Sequence, residues 1–258
     1  MSGIRYKSSR DIEKMRSAGQ VVSDVLAQLR DAVRPGLPTD ELDRMAETAI
    51  RRRGGAASFK GYKGFPASIC ASINEEVVHG IPARRRVLHS GDLVKLDVGV
   101  RLHGYHADSA MTVPVGEVSE EALRLIRVTR DSLWMGIRAV RIRGRLQDIS
   151  QAIQEYVEKH GFSVVREMVG HGVGRQLHEP PNIPNYVDPQ IPNPVLLEGV
   201  TLAVEPMVNA GVAEIEMLPD GWTVVTKDRR YSAHFEHTVA VTRGGPDILT
   251  LGPHDPGP

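Results

Sequence analysis

The amino-acid sequence predicts an α/β (α+β) fold, a single domain over residues 1–258 built from pseudo-repeat halves of about 9–115 and 119–250. Three observations carry this. Each half opens with a long helical pattern, then a shorter one that a glycine stops. Each half continues with an apolar strand in which a glycine precedes an acid by six residues. Each half then places a second acid at the head of another extended segment.

The helices come first. From Ser9, the apolar positions Ile12, Met15, Val22, Val25, Leu26 and Leu29 recur at helical spacing, and Pro35-Gly36 ends the pattern. A second helix is expected after the cap candidate Thr39, carrying Leu42, Met45, Ala46 and Ile50 and stopping at Gly54-Gly55. In the second half, Ser119 is placed to cap a helix carrying Leu123, Ile126, Leu133 and Ile137. A shorter one follows with Ile149, Ile153, Tyr156 and Val157, and stops at Gly161.

The strands repeat as well. Gly91-Asp92-Leu93-Val94-Lys95-Leu96-Asp97 aligns with Gly199-Val200-Thr201-Leu202-Ala203-Val204-Glu205. Asp108 precedes Thr112-Val113 as Glu236 precedes Thr238-Val239. Two copies are too few for a solenoid, so the halves should share one domain with a site between them. The segment Pro180 to Pro194 is expected as an ordered surface loop, and His254 to Pro258 as a frayed tail.

Composition narrows the function. A chain of 258 residues with 41% hydrophobic and 25% charged residues is that of an ordinary soluble globular protein. Its formal net charge of zero offers no global attraction to nucleic acid or an acidic membrane. The short runs Arg51-Arg52-Arg53 and Arg84-Arg85-Arg86 read as solvated helix ends or loops. Cys70 is the only cysteine, which rules out an internal disulfide and suits a reducing compartment. Its surroundings match no catalytic cysteine signature, so a small buried thiol is expected. Without an apolar leader or a run of membrane-spanning length, a cytoplasmic location is expected.

The segment from Leu93 to Val113 reads as a hairpin. Val94, Leu96, Val98 and Val100 form one face, with Lys95, Asp97 and Gly99 on the other; Asp108 shares a face with His106, Ala110 and Thr112. With a turn centred on Leu102-His103, Asp97 and Asp108 become direct cross-strand partners, with Cβ atoms about 4.5–5.5 Å apart. Like charges so placed destabilise a strand pair unless one carboxylate keeps its proton or a cation sits between them. Taken singly, each acid reads more readily as an exposed strand residue with an ordinary salt partner. The matching Glu205 and Glu236 change that balance. Four carboxylates converging where the halves meet carry more charge than one shared proton offsets, whereas two divalent cations neutralise them.

Gly170-His171-Gly172-Val173-Gly174 matches neither the dinucleotide nor the phosphate-loop pattern. Its glycines let backbone approach a crowded site, and histidine is the commonest neutral metal ligand. His178 and His79 are placed to reach the same cavity. His89, His103, His160 and His254 lack such context, and His237 alternates onto the apolar face with Phe235 and Val239.

Together these motifs resemble type I methionine aminopeptidases. The resemblance rests on Tyr62 to Cys70, Ser72 to Glu75, His79-Gly80-Ile81-Pro82, Lys95 to Gly99, Gly104 to Ser109, Gly170 to Arg175, His178-Glu179-Pro180-Pro181, Glu205-Pro206-Met207 and Phe235 to Thr238, in that order along nearly the whole chain. It implies the pita-bread fold, with a central antiparallel-rich sheet. It further implies two divalent metal ions (Co, Mn, Fe or Zn) held by Asp97, Asp108, His171, Glu205 and Glu236, with Asp108 and Glu236 bridging. His79 and His178 would contact substrate. The methionine side chain would lie among Phe59, Tyr62, Phe65, Cys70, Leu177 and Trp222.

Such a site hydrolyses a peptide bond with Glu205 as general base, His178 at the developing oxyanion and His79 at the scissile amide nitrogen. The expected substrates are N-termini of nascent polypeptides with a small second residue. A transient meeting with the ribosome is compatible with this role. A monomer is expected, with no membrane and no direct nucleic-acid contact. Two rivals remain: an Xaa-Pro aminopeptidase of the same fold, and a non-catalytic relative that binds protein or RNA. Those enzymes usually carry an extra N-terminal domain, and those binding modules tend to lose ligands that are all in place here.

Overall fold

The computed structural model describes residues 3–252, so the tail expected at His254 to Pro258 lies outside the described residues. Four long helices form where apolar periodicity demands them. Helix α1 (Ser9–Ala32) is capped by Ser8, whose hydroxyl accepts from the Asp11 backbone while Asp11 returns a bond to the Ser8 N–H. Helix α2 (Thr39–Arg52) follows and stops at Gly54, whose φ of +73° suits a left-handed terminus. In the second half, α3 (Glu120–Ala139) is capped by Ser119 as expected, and α4 (Leu146–Lys159) stops at Gly161 with φ +75°. The halves thus open with helices of 24 and 14 residues and of 20 and 14 residues.

Two local expectations need correction. Thr39 lies inside α2 rather than capping it; its hydroxyl bonds the carbonyl and the N–H of Ala83, tying the helix to a distant loop. Met45 and Leu123 keep 40% and 39% of their surfaces exposed, because each sits at the rim of its helix's apolar stripe.

Between α2 and α3 lie β1 (Ala56–Ala57), β2 (Ile69–Ile73), β3 (Glu76–Val78), β4 (Leu93–Leu102) and β5 (Tyr105–Pro114). After α4 come β6 (Ser163–Val164), β7 (Gly170–Gly172), β8 (Glu179–Ile183), β9 (Thr201–Val204) and β10 (Met207–Asn209). The chain continues through β11 (Ile215–Met217), β12 (Val224–Thr226), β13 (Ser232–His234), β14 (Glu236–Thr242) and β15 (Gly245–Ile248). The main sheet runs β1-β4-β5-β14-β9-β7-β8, with β2 also on β4 and β15 on β14, and every pairing is antiparallel. Strands β4 and β5 of the first half face β9 and β14 of the second, and the halves join where β5 meets β14 through Ala110–Glu236 and Ser109–His237.

Each half also has its own core. Helices α1 and α2 bury Val22, Leu26, Leu42 and Ile50 against Val94, Leu96, Val98 and Val100. Helices α3 and α4 bury Leu125, Ile137, Ile149 and Ile153 against Leu202, Val204, Val239 and Val241. Lys95 is buried as well: it is 1% exposed, and its ammonium donates to the carbonyls of Asn74 (2.7 Å) and Ser232 (3.2 Å), one in each half. Burial draws its pKa down to about 7.

The proline-rich stretch is only partly a loop. Its first residues form β8 against β7, and the rest is held by the Gln147 amide, which donates to the Asp188 and Ile191 carbonyls. Among the described residues, no helix is long and apolar enough to cross a membrane.

Candidate metal centre

The hairpin that carries two of the acids turns one position later than expected. Leu102 pairs with Tyr105, so His103 and Gly104 form the turn, both with positive φ as a type I′ turn requires. Asp97 therefore lies opposite Ala110 and Asp108 opposite Gly99: the two acids are diagonal neighbours on one face, not direct partners. Gly99 has its own reason. A Cβ there would sit 2.8 Å from the Phe59 ring, which occupies that space.

From the other half, Glu205 follows the end of β9 and Glu236 opens β14. His171 sits in β7, where both flanking glycines are required. A Cβ on Gly170 would lie 2.4 Å from the Ala203 carbonyl oxygen, and one on Gly172 would lie 2.4 Å from that of Pro180. Ligating atoms of Asp108, His171 and Glu236 lie within 4.8 Å of one another. His171 Nε2 is 3.4 Å from Glu205 Oε1, while its Nδ1 is 3.0 Å from the Gly172 carbonyl oxygen. A carbonyl only accepts, so Nδ1 carries the proton and Nε2 presents its lone pair.

The electrostatics match the crowding. Burial raises Asp97 to about 7 and pushes Asp108, Glu205 and Glu236 well above the usual carboxylate range, with neighbouring acids adding to the shift for the last three. Each of the four has a buried carboxylate oxygen with no hydrogen-bond partner. Desolvation draws His171 down to about 4, which keeps it neutral. Unpartnered carboxylate oxygens beside a neutral imidazole lone pair are the donor set of a divalent cation site, and the residues fit one.

All five predicted ligands line a cavity of about 220 Å³, together with His79, His178 and all six residues predicted to hold a side chain. Phe59, Phe65, Cys70 and Trp222 form its apolar floor, packed in one cluster with Ala67 and Ile81, and Phe65 meets Trp222 edge-on at 5.1 Å. Cys70 is buried opposite Asp97, where desolvation and the acids push its thiol pKa well up; it is a packing thiol. Tyr62 lines the cavity and also brings its hydroxyl to His178 Nδ1 at 2.8 Å. Desolvation lowers His178 to about 3, aided by His171, Lys63, His79 and His106. His79 holds a positive φ of 60°, locked because Gly80 donates to Ser72 Oγ and accepts from the Ala71 N–H. A slightly larger cavity of about 240 Å³ between α1 and α3 has no acid among its lining residues.

Several lining residues escaped the sequence reading: Lys63, Val78, Met168, Val169, Met207 and His234. His234 is the most consequential. It is 1% exposed, neither ring nitrogen has a hydrogen-bond partner, and Nε2 lies 3.7 Å from Glu205 Oε2. Its position two before Glu236 was the only local signal, and the chain passes from β13 to β14 between the two. His237 behaves as expected, packing at 5.5 Å on Trp134 and bonding Thr250 Oγ1 at 2.9 Å.

The profile of metallopeptidase family M24 matches residues 13–243. The chain belongs to this family. Methionine aminopeptidases are similar over nearly their whole length: that of Clostridium acetobutylicum is 51% identical over 96% of this chain and 99% of its own, and that of Escherichia coli K12 is 46% identical over 98% and 96%. The crystal structure of the Thermotoga maritima methionine aminopeptidase superposes with a TM-score of 0.94 at 44% identity, covering 96% of this chain and all of that one. The Xaa-Pro dipeptidase of Bacillus anthracis shares the fold at a TM-score of 0.78 and 21% identity, with 63% of its chain covered. The pita-bread fold expected from the motifs is the fold of this M24 member.

Proposed function

We propose that this M24 metallopeptidase removes the initiator methionine from nascent proteins with a small second residue, and that Asp97, Asp108, His171, Glu205 and Glu236 hold two divalent cations for the reaction. The observation that carries this is the meeting, in one cavity, of unpartnered buried carboxylates with a blind apolar floor of Phe59, Phe65, Cys70 and Trp222. When bound, the cations supply Lewis-acid polarisation of the scissile carbonyl and activation of water.

The chain's own residues do the rest. The apolar floor takes an unbranched, polarizable side chain and excludes water from it. Glu205 is placed to take the proton of the attacking water and return it to the leaving amine. His178 donates to the carbonyl oxygen as charge develops there. His79, fixed by its turn against β2, orients the scissile amide. Transient contact with the ribosome belongs to the same proposal.

The experiment is direct. Chelated protein reloaded with Mn, Fe(II), Co or Zn should release methionine from Met-Ala-Ser and leave Xaa-Pro peptides intact. Cleavage of Xaa-Pro peptides in preference to Met-Ala-Ser would refute the assignment, as would a reloaded protein with no peptidase activity.

A further inference from the structure

We propose that Tyr62 is a positioning residue for catalysis: its hydroxyl donates to His178 Nδ1, which fixes the ring's orientation and leaves Nε2–H as the donor. The inference rests on the role given to His178 in the proposed function and adds a group that controls it.

The geometry separates Tyr62 from the apolar floor. Phe65 and Cys70 pack with Phe59 and Trp222 in one cluster, and Tyr62 is outside it. Its hydroxyl lies 2.8 Å from His178 Nδ1, and the two rings stack at 5.1 Å with 30° between their planes. A pocket wall has no use for a hydroxyl; phenylalanine would serve. The loop that presents Tyr62 is built for the purpose. Gly61 and Gly64 hold φ of 82° and 91°, Lys63 holds 49°, and the turn is closed by Tyr62 N–H to the Phe59 carbonyl and Phe65 N–H to that of Tyr62, each 2.9 Å.

The proton assignment follows from hydrogen-bonding chemistry. A neutral imidazole has one donor nitrogen and one acceptor nitrogen. The Tyr62 hydroxyl has no other protein partner among the described residues, and donation to Nδ1 is the direction that fits the substrate-facing donor assigned to His178 in the proposed function. The proton of His178 then sits on Nε2, the nitrogen left for substrate. An oxyanion needs a donor already aimed at it, so a ring free to flip or to carry its proton on Nδ1 would lose that contact.

The test combines two readouts on the metal-loaded full chain. For Met-Ala-Ser, Tyr62→Phe is expected to lower kcat by about tenfold, the worth of one neutral hydrogen bond, with KM and metal content unchanged. His178→Ala should lower kcat further, and the double variant should be no worse than His178→Ala alone, because Tyr62 acts through His178. Nitrogen-15 NMR of labelled histidines should show His178 protonated at Nε2 in the wild type and exchanging between tautomers in Tyr62→Phe. A wild-type kcat in Tyr62→Phe, a loss confined to KM, or effects that multiply in the double variant would overturn the proposal. A wild-type protein that turns over no peptide, yet shows the tautomer change, would instead refute the functional reading and leave the Tyr62 contact standing.

Discussion

Replacing Asp97 with asparagine tests the electrostatic basis of the site. In the metal-free protein, burial raises the Asp97 carboxyl from 3.8 to about 7. An acid whose pKa is higher in the folded state than in the unfolded chain binds more protons when native, so stability falls as pH rises between those values. Below pH 3.8 this group costs nothing; at pH 7 the cost reaches roughly 4 kcal/mol, at 1.36 kcal/mol per pH unit crossed. Asp97 keeps partial exposure, and an asparagine amide accepts more weakly than the carboxylate from Asp108 and from the Cys70 thiol. The net gain for metal-free Asp97→Asn at pH 7 is therefore about 2 kcal/mol. Urea denaturation after exhaustive chelation, at pH 5, 6 and 7, measures it. The variant should be the more stable protein at pH 7, with its advantage cut by at least half at pH 5. Saturating Mn²⁺ should reverse the order, because the wild type gains binding energy that the variant has lost. A metal-free variant no more stable than the wild type at pH 7, or an advantage equal at pH 5 and pH 7, would refute the reasoning.

Other substitutions probe separate parts of the site. Glu205→Gln should keep the fold, read by circular dichroism, while kcat falls by about 10² or more; near-normal turnover would remove Glu205 from its role as base. His79→Ala is expected to lower turnover by about 10² with metal content by elemental analysis unchanged, and loss of metal would mean that His79 is itself a ligand. In Gly170→Ala the new methyl meets the Ala203 carbonyl oxygen at 2.4 Å and Cγ of Glu205, a proposed metal ligand, at 3.3 Å. That variant should lose about 2 kcal/mol in denaturant unfolding and bind Mn²⁺ more weakly.

The acids illustrate what can be read without coordinates and where reading stops. Gly91 to Asp97 and Gly199 to Glu205 can be matched in the sequence because each pattern is local: a glycine, an apolar run and an acid in fixed spacing. The cross-strand geometry of Asp97 and Asp108 was misplaced by two residues, since the hairpin register depends on which pair adopts positive φ, and that pair is His103-Gly104. The side chains at Phe59, Cys70, Leu177 and Trp222 were predicted through motif resemblance, whereas periodicity alone could not have joined positions so far apart in the chain.

Helix phasing, the glycine stops and the five candidate ligands that line one cavity were legible in the amino-acid order, because each depends on neighbours within a few residues or on a motif kept intact. Tertiary structure alone decided that Thr39 ties down Ala83 instead of capping α2, that Lys95 spans the halves through two carbonyls, and that His234 lies beside Glu205. It also decided that Tyr62 bonds His178 instead of joining the apolar floor. These contacts join residues far apart in sequence, and their energies come from burial and from the direction of one polar atom toward another, neither of which exists until the two halves have closed.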